Sequence, residues 1–174
     1  MVRIESVTAE APATLLVKLS NGRTLSVDVA EYQAAPGHEA IADPAVLATV
    51  EVDEWGHGVH WPSLDLGVDV ETLVRLHKEQ TGQAFPVDAF NAWMQRNHLS
   101  LTAAAQALGL TRRAIVYYHG GHRPIPKLVG LACKGWEAIR RREDREDLAA
   151  FDQRSTEPTI TYEKLRARLE AGKP

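Results

Sequence analysis

"LGLTRRAIVYYHGG", Leu108 to Gly121, is the stretch that decides the fold of the second half of this chain. It contains a Gly after an apolar residue, then a Thr, two arginines and two tyrosines, and it ends in two glycines. Threonine is a preferred N-cap, and glycine tolerates the left-handed backbone that ends many helices. The stretch therefore predicts a turn at Gly109 and a short helix that begins after Thr111.

The residues just before it predict a partner helix. Where two helices approach closely, the first needs a small side chain, and Ala105 precedes Gly109 by four residues. Ser100 stands where the N-cap of this first helix is expected. The inner faces of the pair receive apolar residues, namely Ala104, Leu108, Leu110, Ile115 and Tyr118. These conditions together predict a helix-turn-helix.

The segment "LSLTAAAQALGLTRRAIVYYHGGHRPIP" resembles the lambda-repressor-like (XRE-type) helix-turn-helix domain of bacterial regulators, and the resemblance covers residues 86–142. It implies that the helix from Thr111 to Tyr118 lies in the major groove of double-stranded DNA. The base-facing residues that it implies are Arg112, Arg113, Val116 and Tyr117. The backbone contacts that it implies are Ser100, Thr111, Gly121, His122 and Arg123. Because such proteins read paired half-sites, a homodimer is expected.

The arginines of the second helix have different expected roles. An Arg can donate two parallel hydrogen bonds to guanine O6 and N7, worth about 1–3 kcal/mol of discrimination. Consecutive Arg112 and Arg113 diverge by about 100° on a helix, so we expect one to read a base and the other to bind a phosphate. Arg113 is the expected base reader, with Tyr117 one turn on along the same face. Lys127 follows the exit from the helix, close to the expected phosphate backbone.

Two positions depart from the family pattern. Members often place a Gln at the first position of the earlier helix, where this chain has Leu101. They often carry an acidic residue near the end of the second helix, where this chain has His119. The first departure removes a polar contact to DNA. The second makes the following loop more basic, which favours phosphate binding.

Charge is distributed unevenly along the chain. Residues 1–85 carry 5 Lys or Arg against 13 Asp or Glu, whereas residues 86–142 carry 9 against 2. Residues 143–174 carry 6 against 8, and the whole chain has a formal charge of −3. The middle segment therefore favours a polyanionic partner, while the first is acidic.

The first segment is predicted to be rich in β structure. In "TLLVKLSNGRTLSVDV" apolar and polar residues alternate on both sides of Asn21-Gly22, which predicts a hairpin with a type I′ turn. A second strand pair is predicted between Val50 and Trp61, and a helix with Asp69 as N-cap is predicted to end at Gly82. The hairpin, "VHWP" and this helix resemble a small bacterial domain family of unknown function that occurs alone or before such a helix-turn-helix.

Helical periodicity replaces this alternation after Pro86. Phe90, Trp93 and Met94 form one apolar stripe. A second stripe follows Pro126 and contains Leu128, Leu131, Ala132, Trp136 and Ile139. The charged C-terminal tail predicts one or two exposed helices with a frayed end. The predicted fold is therefore α+β, with a β-rich domain at 1–82, an all-α helix-turn-helix domain at 86–142 and a helical tail at 143–174.

From its composition and the lack of a recognisable targeting signal, we expect a soluble protein of the bacterial cytoplasm. Of its 174 residues 44% are hydrophobic and 25% charged, which is typical of globular proteins. The single cysteine, Cys133, cannot form an internal disulfide. The first residues contain an early Glu5 and no apolar core, so we do not expect them to be a signal peptide. No apolar run reaches membrane-spanning length, so no membrane is expected as a partner.

Three other candidate sites have weaker patterns. His57 and His60 flank Gly58-Val59 beside two tryptophans, without the further ligands that a metal site needs, so no metal is expected. Asp53 and Glu54 are adjacent at a strand end, and paired-carboxylate catalysis has little support there. Cys133 lies among apolar residues and is expected to be buried rather than nucleophilic. We therefore expect neither enzyme activity nor a cofactor.

Two functions fit these patterns. The first is a DNA-binding transcriptional regulator whose β-rich domain mediates dimerisation or binds an effector or partner. The second is an antitoxin-like or other protein-interaction module, in which the acidic N-terminal domain binds a basic protein and DNA binding is secondary.

Overall fold

The computed structural model of the chain describes residues 2–155 and 161–172. It is a mixed α+β fold with two compact units, Met1–Cys133 and Lys134–Pro174. Every strand of the described residues belongs to the first unit, and the described part of the second unit is helical. The predicted α+β class is confirmed.

The first sheet has three antiparallel strands in the order β1 (Ile4–Glu10), β2 (Thr14–Leu19) and β3 (Thr24–Asp28). The alternation predicted for β2 and β3 is confirmed, because its apolar members are buried, namely Leu15, Val17, Leu19, Leu25 and Val27. The sequence pattern missed β1, since Ile4 alone among its residues is fully buried. An edge strand with one buried residue has no clear period-two signal.

The turn between β2 and β3 differs from the predicted type I′. Gly22 has a φ of +80°, but Asn21 is absent from the positive-φ residues of the described chain, so only one central residue is left-handed. The Gly22 N–H donates to the Leu19 carbonyl at 2.9 Å, and the Leu19 N–H donates to the Arg23 carbonyl at 2.8 Å. A three-residue hairpin loop of this kind needs only its last residue to be left-handed.

A second three-stranded antiparallel sheet follows three single-turn elements. The turns are α1 (Ala30–Gln33), a 3-10 turn (Glu39–Ala42) and α2 (Pro44–Leu47). The strands are β4 (Glu51–Val52), β5 (Gly58–Trp61) and β6 (Leu66–Asp69). The predicted strand pair is confirmed by the pairing of Val52 with Val59. The two sheets meet where the Ile4 N–H donates to the Gly56 carbonyl at 2.8 Å.

The helix α3 (Val70–Gln80) closes this β-rich part. Its predicted N-cap is confirmed, because the Asp69 carboxylate accepts from the Thr72 N–H at 2.8 Å. The Gln80 side chain bonds both backbone groups of Asp28 on β3, at 2.9 and 2.7 Å. Since β3 is an edge strand, Gln80 satisfies backbone groups that would otherwise be open to pairing with another strand.

One apolar core joins both sheets to α3. Trp61 and Leu73 are fully buried in it. The Trp61 indole N–H donates to the Leu47 carbonyl at 3.3 Å, so its polar atom is satisfied inside the core.

Three further helices of the first unit lie between two short strands. The strands are β7 (Ala84–Phe85) and β8 (Ile125–Pro126), and the helices are α4 (Val87–Arg96), α5 (Leu101–Leu108) and α6 (Arg112–His119). The predicted stripe of Phe90, Trp93 and Met94 is confirmed as buried. The antiparallel pairing of β7 with β8 ties together the two ends of the helical segment, and no sequence pattern predicted it.

The helix α7 (Lys127–Ser155) runs without a break through residue 142, where the sequence predicts the end of the second segment. Its predicted apolar stripe is wrong as a buried face, since Leu128, Leu131 and Ile139 are 75%, 64% and 52% exposed. The buried residues are instead Val129, Gly130 and Cys133. The periodicity alone could not distinguish these neighbouring faces, because both contain apolar or small residues.

The last helix of the described chain is α8 (Tyr162–Ala171), whose residues are exposed, as predicted for the tail. The predicted frayed end falls partly on residues 173–174, outside the described residues. Within 2–155 and 161–172, none of the helices combines the length and the apolar composition needed to cross a membrane.

Gly130 lies where α7 packs against β7. A Cβ atom at this position would stand 2.6 Å from Cγ of Phe85 and closer still to Cδ2 of the same ring. Gly135, on the same helix, has no such neighbour within 4 Å. The absence of a side chain at Gly130 therefore permits the close packing of β7.

We expect Gly130→Ala to destabilise the protein by about 1–3 kcal/mol, because the added methyl group overpacks the Phe85 contact. Gly135→Ala is the matched control, and its higher helix propensity should stabilise the protein by about 1 kcal/mol. Chemical denaturation monitored by tryptophan fluorescence measures both. Equal changes in the free energy of unfolding for the two variants would contradict a close contact between Gly130 and Phe85.

Candidate functional site

The turn between α5 and α6 has the predicted chemistry. Gly109 adopts the left-handed conformation, with φ 64° and ψ 30°. The Ser100 hydroxyl accepts from the Ala103 N–H at 3.1 Å, and the Thr111 hydroxyl accepts from the Ala114 N–H at 3.2 Å. Both predicted N-caps and the predicted turn glycine are therefore confirmed.

Small side chains lie where α5 and α6 meet. Ala104 is fully buried and Ala105 is nearly so. The Leu110 N–H donates to the Ala105 carbonyl at 2.9 Å, which closes the end of α5 before α6 begins. Leu108 and Leu110 are half-buried. The inner face predicted from the sequence is thus present, although the two leucines keep some exposure.

The inner side of α6 is attached to α4. Ile115 is fully buried, and the Tyr118 ring meets Phe90 edge-on with centroids 6.1 Å apart. Nδ1 of His119 lies 2.7 Å from Oδ1 of Asn91, whose Nδ2 donates to the His119 carbonyl at 3.2 Å. The prediction that Tyr118 points inward is confirmed. His119 is tied to Asn91, so it holds the end of α6 in place.

The outer face of α6, defined by Arg112, Arg113, Val116 and Tyr117, remains accessible. Both arginines are exposed, Val116 is 37% exposed and Tyr117 is half-buried. Nε and Nη2 of Arg113 donate to the Tyr117 hydroxyl at 3.3 and 3.1 Å. The predicted neighbourhood of Arg113 and Tyr117 is therefore confirmed, and the contact holds the guanidinium in one orientation.

The loop after α6 (residues 120–124) brings further cationic and aromatic groups to Tyr117. The Arg123 guanidinium lies 5.1 Å from the centroid of the Tyr117 ring, within cation–π distance. The His122 ring meets Tyr117 edge-on at 6.3 Å. Gly121 is left-handed, with a φ of +69°, and the His122 N–H donates to the Tyr117 carbonyl at 2.9 Å. Tyr117 thus organises both the helix and the loop.

The arginines of α6 and of the loop after it lack acidic partners among the described residues. Among the ion pairs of the described residues, none includes Arg112, Arg113 or Arg123. The sequence from residue 96 to residue 134 contains no Asp or Glu. The positive charge of this surface is therefore not neutralised by neighbouring carboxylates, and an anion is its natural complement.

The remaining predicted residues lie at the ends of helices. Lys127 is exposed and begins α7 directly after β8. Ser100 and Thr111 are exposed at the starts of α5 and α6, and Leu101 is half-buried beside Ser100. Asn91 is the residue that sequence reasoning missed, because its bonds to His119 connect positions 28 residues apart.

The acidic candidates Asp53 and Glu54 lie in the turn between β4 and β5. The Asp53 carboxylate accepts from the backbone N–H of Trp55 at 3.0 Å and of His57 at 2.8 Å. Desolvation acts to raise the pKa of Asp53, but the backbone bonds from His57, Trp55 and Gly56 outweigh it, so the pKa lies below its usual value. The carboxylate is therefore committed to forming the turn.

The histidine and cysteine candidates are dispersed. His57 is exposed and His60 is half-buried on β5. Among the described residues there is no group of three or more His, Cys, Asp or Glu placed to hold a metal ion. Cys133 is 1% exposed within α7, which confirms its predicted burial.

The chain is similar to a known protein family and to a solved structure. The model of a family described as protein of unknown function (DUF2442) matches residues 4–79, which confirms the resemblance of the N-terminal segment to a domain family of unknown function. A solved structure, "Crystal Structure of Putative DNA Binding Protein NE0471 from Nitrosomonas europaea ATCC 19718", is 38% identical with a TM-score of 0.52. The similarity covers 80% of this chain and 89% of that chain. No curated protein matches this chain.

The contribution of the Thr111 N-cap bond to the stability of α6 can be tested directly. Thr111→Ala should lower the free energy of unfolding by about 1 kcal/mol, because the Ala114 N–H loses its acceptor. Thr111→Ser keeps a hydroxyl and should retain most of the stability. Urea denaturation of both variants measures the difference. A Thr111→Ala variant as stable as Thr111→Ser would show that the bond contributes little.

Proposed function

The chain belongs to the same family as NE0471 of Nitrosomonas europaea, and we propose that it binds double-stranded DNA through α6 as a bacterial transcriptional regulator. The observation that carries this proposal is the outer face of α6 with the adjoining loop. There Arg113 and Arg123 lie against Tyr117 and Arg112 begins the helix, and none of the three arginines has an acidic partner in the described chain. The proposal assigns the chain no catalytic activity and no cofactor.

The dimensions of α6 suit a DNA groove. An α-helix with its side chains is about 10–12 Å across. The major groove of B-DNA is about 12 Å wide. Arg112 and Arg113 occupy the first turn of the helix, which is the part that enters the groove in helix-turn-helix proteins.

Arg113 is the proposed base reader. An Arg side chain has five N–H donors in a planar fork. The Tyr117 hydroxyl accepts from Nε and Nη2 and so orients the fork. The outer edge formed by Nη1 and Nη2 is then free to face guanine O6 and N7. Because the orientation exists before binding, less side-chain entropy is lost when the contact forms.

The other cationic and capping residues are proposed to bind phosphates. Arg112 diverges from Arg113 by about 100°, which directs it away from the same base step. Arg123 extends the positive surface along the loop after α6, and the His122 ring lies beside it on Tyr117. The remaining proposed phosphate contacts are Ser100, Thr111, Gly121 and Lys127. These contacts fix position and orientation rather than sequence. A homodimer would present two such faces to paired half-sites.

The acid-rich N-terminal segment supports a second candidate. Residues 1–85 carry 13 acidic against 5 basic side chains, which suits a basic protein partner. In this antitoxin-like function, partner binding would not depend on the outer face of α6. The antitoxin-like function is supported if a basic protein binds the full chain and its Arg113→Ala variant with equal affinity.

Selection from random double-stranded DNA with the purified full chain tests the main proposal. We expect one enriched sequence, whose affinity falls steeply with salt as phosphate contacts release counterions. Failure to enrich any sequence, or an affinity independent of salt, would refute DNA binding as the function.

Substitutions then separate base reading from phosphate binding. Arg113→Ala should relax specificity at one position by about 1–3 kcal/mol, whereas Lys127→Ala should weaken binding to all sequences and reduce the salt slope by about 1. Lys18→Ala, on β2, is the control and should leave binding unchanged. Uniform weakening by Arg113→Ala would argue against its role as base reader.

A further inference from the structure

A cavity of about 860 Å³ lies between α3 and the loop after α6. Its volume falls within the range of about 300–1,000 Å³ that is usual for small-molecule sites. Val70, Val74 and Pro124 contribute apolar surface to its lining, and Arg75, Lys78 and Arg123 contribute positive charge. Such a mixture suits a small molecule with an anionic head and an apolar body.

The charged groups of the cavity lining differ in whether other groups of the protein already engage them. Two carboxylates, Asp69 and Glu71, belong to the lining. Asp69 is already occupied, because its two oxygens accept from the backbone N–H and the hydroxyl of Thr72, each at 2.8 Å. Lys78 and Arg123 form no ion pair among the described residues.

Arg75 is held at the wall of the cavity beside Gly121. Its Nη1 donates to both carboxylate oxygens of Glu79, at 3.1 and 3.2 Å. Its Nε is buried and has no hydrogen-bond partner within the described chain. The same Nε lies 3.5 Å from the point where a Cβ at Gly121 would stand. Contacts within the described chain therefore leave the Arg75 Nε–H without an acceptor.

Arg123 connects the cavity to the outer face of α6. Its guanidinium lines the cavity and also lies 5.1 Å from the Tyr117 ring. The Tyr117 hydroxyl in turn accepts from Arg113. An anion bound in the cavity would attract the Arg123 guanidinium away from the ring and would reduce the positive charge beside the loop.

We propose that this cavity binds a small organic anion, a carboxylate or phosphate monoester attached to an apolar group, and that binding displaces Arg123 from Tyr117. The binding site stands independently of the proposed function. The regulatory consequence rests on the proposed function: the bound anion lowers the affinity for DNA, because it reduces the positive charge of the loop that is proposed to bind phosphates.

Titration of the full chain without DNA tests the cavity. Phenyl phosphate and benzoate are the probes, and they distinguish a phosphate from a carboxylate head. Phenol and inorganic phosphate, at constant ionic strength, test the apolar body and the anionic head separately. In ¹H–¹⁵N spectra we expect saturable shifts at Val74, Lys78 and Gly121 with at least one organic anion. The Arg123 side-chain Nε–H resonance should shift at the same concentrations.

Lys78→Gln is the decisive variant, and Lys18→Gln is its control on β2. Loss of one charge-assisted hydrogen bond should raise the dissociation constant of the bound probe by about tenfold or more in Lys78→Gln. Lys18→Gln should match the unsubstituted chain. Circular dichroism of both variants verifies the fold. Absence of saturable shifts with both organic probes, or equal affinities in the two variants, would overturn the site. A fixed Arg123 resonance would overturn the displacement.

The effect of the bound probe on DNA affinity is measured in a separate experiment. With the selected DNA, a saturating concentration of the bound probe should weaken binding of the unsubstituted chain and of Lys18→Gln, but affect Lys78→Gln much less. DNA affinity that is unchanged by the bound probe would refute the regulatory coupling. If no DNA is bound at all, the proposed function fails, while the titration without DNA still decides the cavity.

Discussion

The pairing of β7 with β8 is the constraint on which the helical half of the first unit depends. Ala84 and Phe85 pair with Pro126 and Ile125, so the segment that contains α4, α5 and α6 begins and ends at one place. Gly130 lets α7 pack closely against Phe85 at the same point. Because both ends are held, the loop after α6 is brought to α3, where the cavity forms.

The exposure of α6 follows from how its other side is held. Ile115 and Tyr118 pack inward, and the Asn91–His119 bonds attach the end of the helix to α4. With that side occupied, the arginines can only project outward. Tyr117 then acts at two levels, since its hydroxyl orients Arg113 and its ring lies beside Arg123. One side chain thus links the proposed DNA contacts to the proposed effector cavity.

Local features of the site were predictable because they depend on neighbouring residues. The caps at Ser100 and Thr111 and the left-handed Gly109 each act within about one helical turn, so residue identity is sufficient. Longer-range features were not. The predicted type I′ turn was wrong, because alternating residues identify a hairpin without fixing the geometry of its loop. The predicted buried stripe with Leu128 and Leu131 was wrong, because local sequence does not specify which face of a helix packs against another element.

The sequence by itself determined the α+β class, the alternating strands β2 and β3, the turn at Gly109 and the concentration of positive charge between the acidic segment and the tail. Only the tertiary structure decided which arginines surround Tyr117, that His119 is tied to Asn91, and that α3 and the loop after α6 enclose a cavity. The physical reason is separation along the chain. Hydrogen bonds and packing between distant residues require the backbone to bring them together, and no local propensity specifies that meeting.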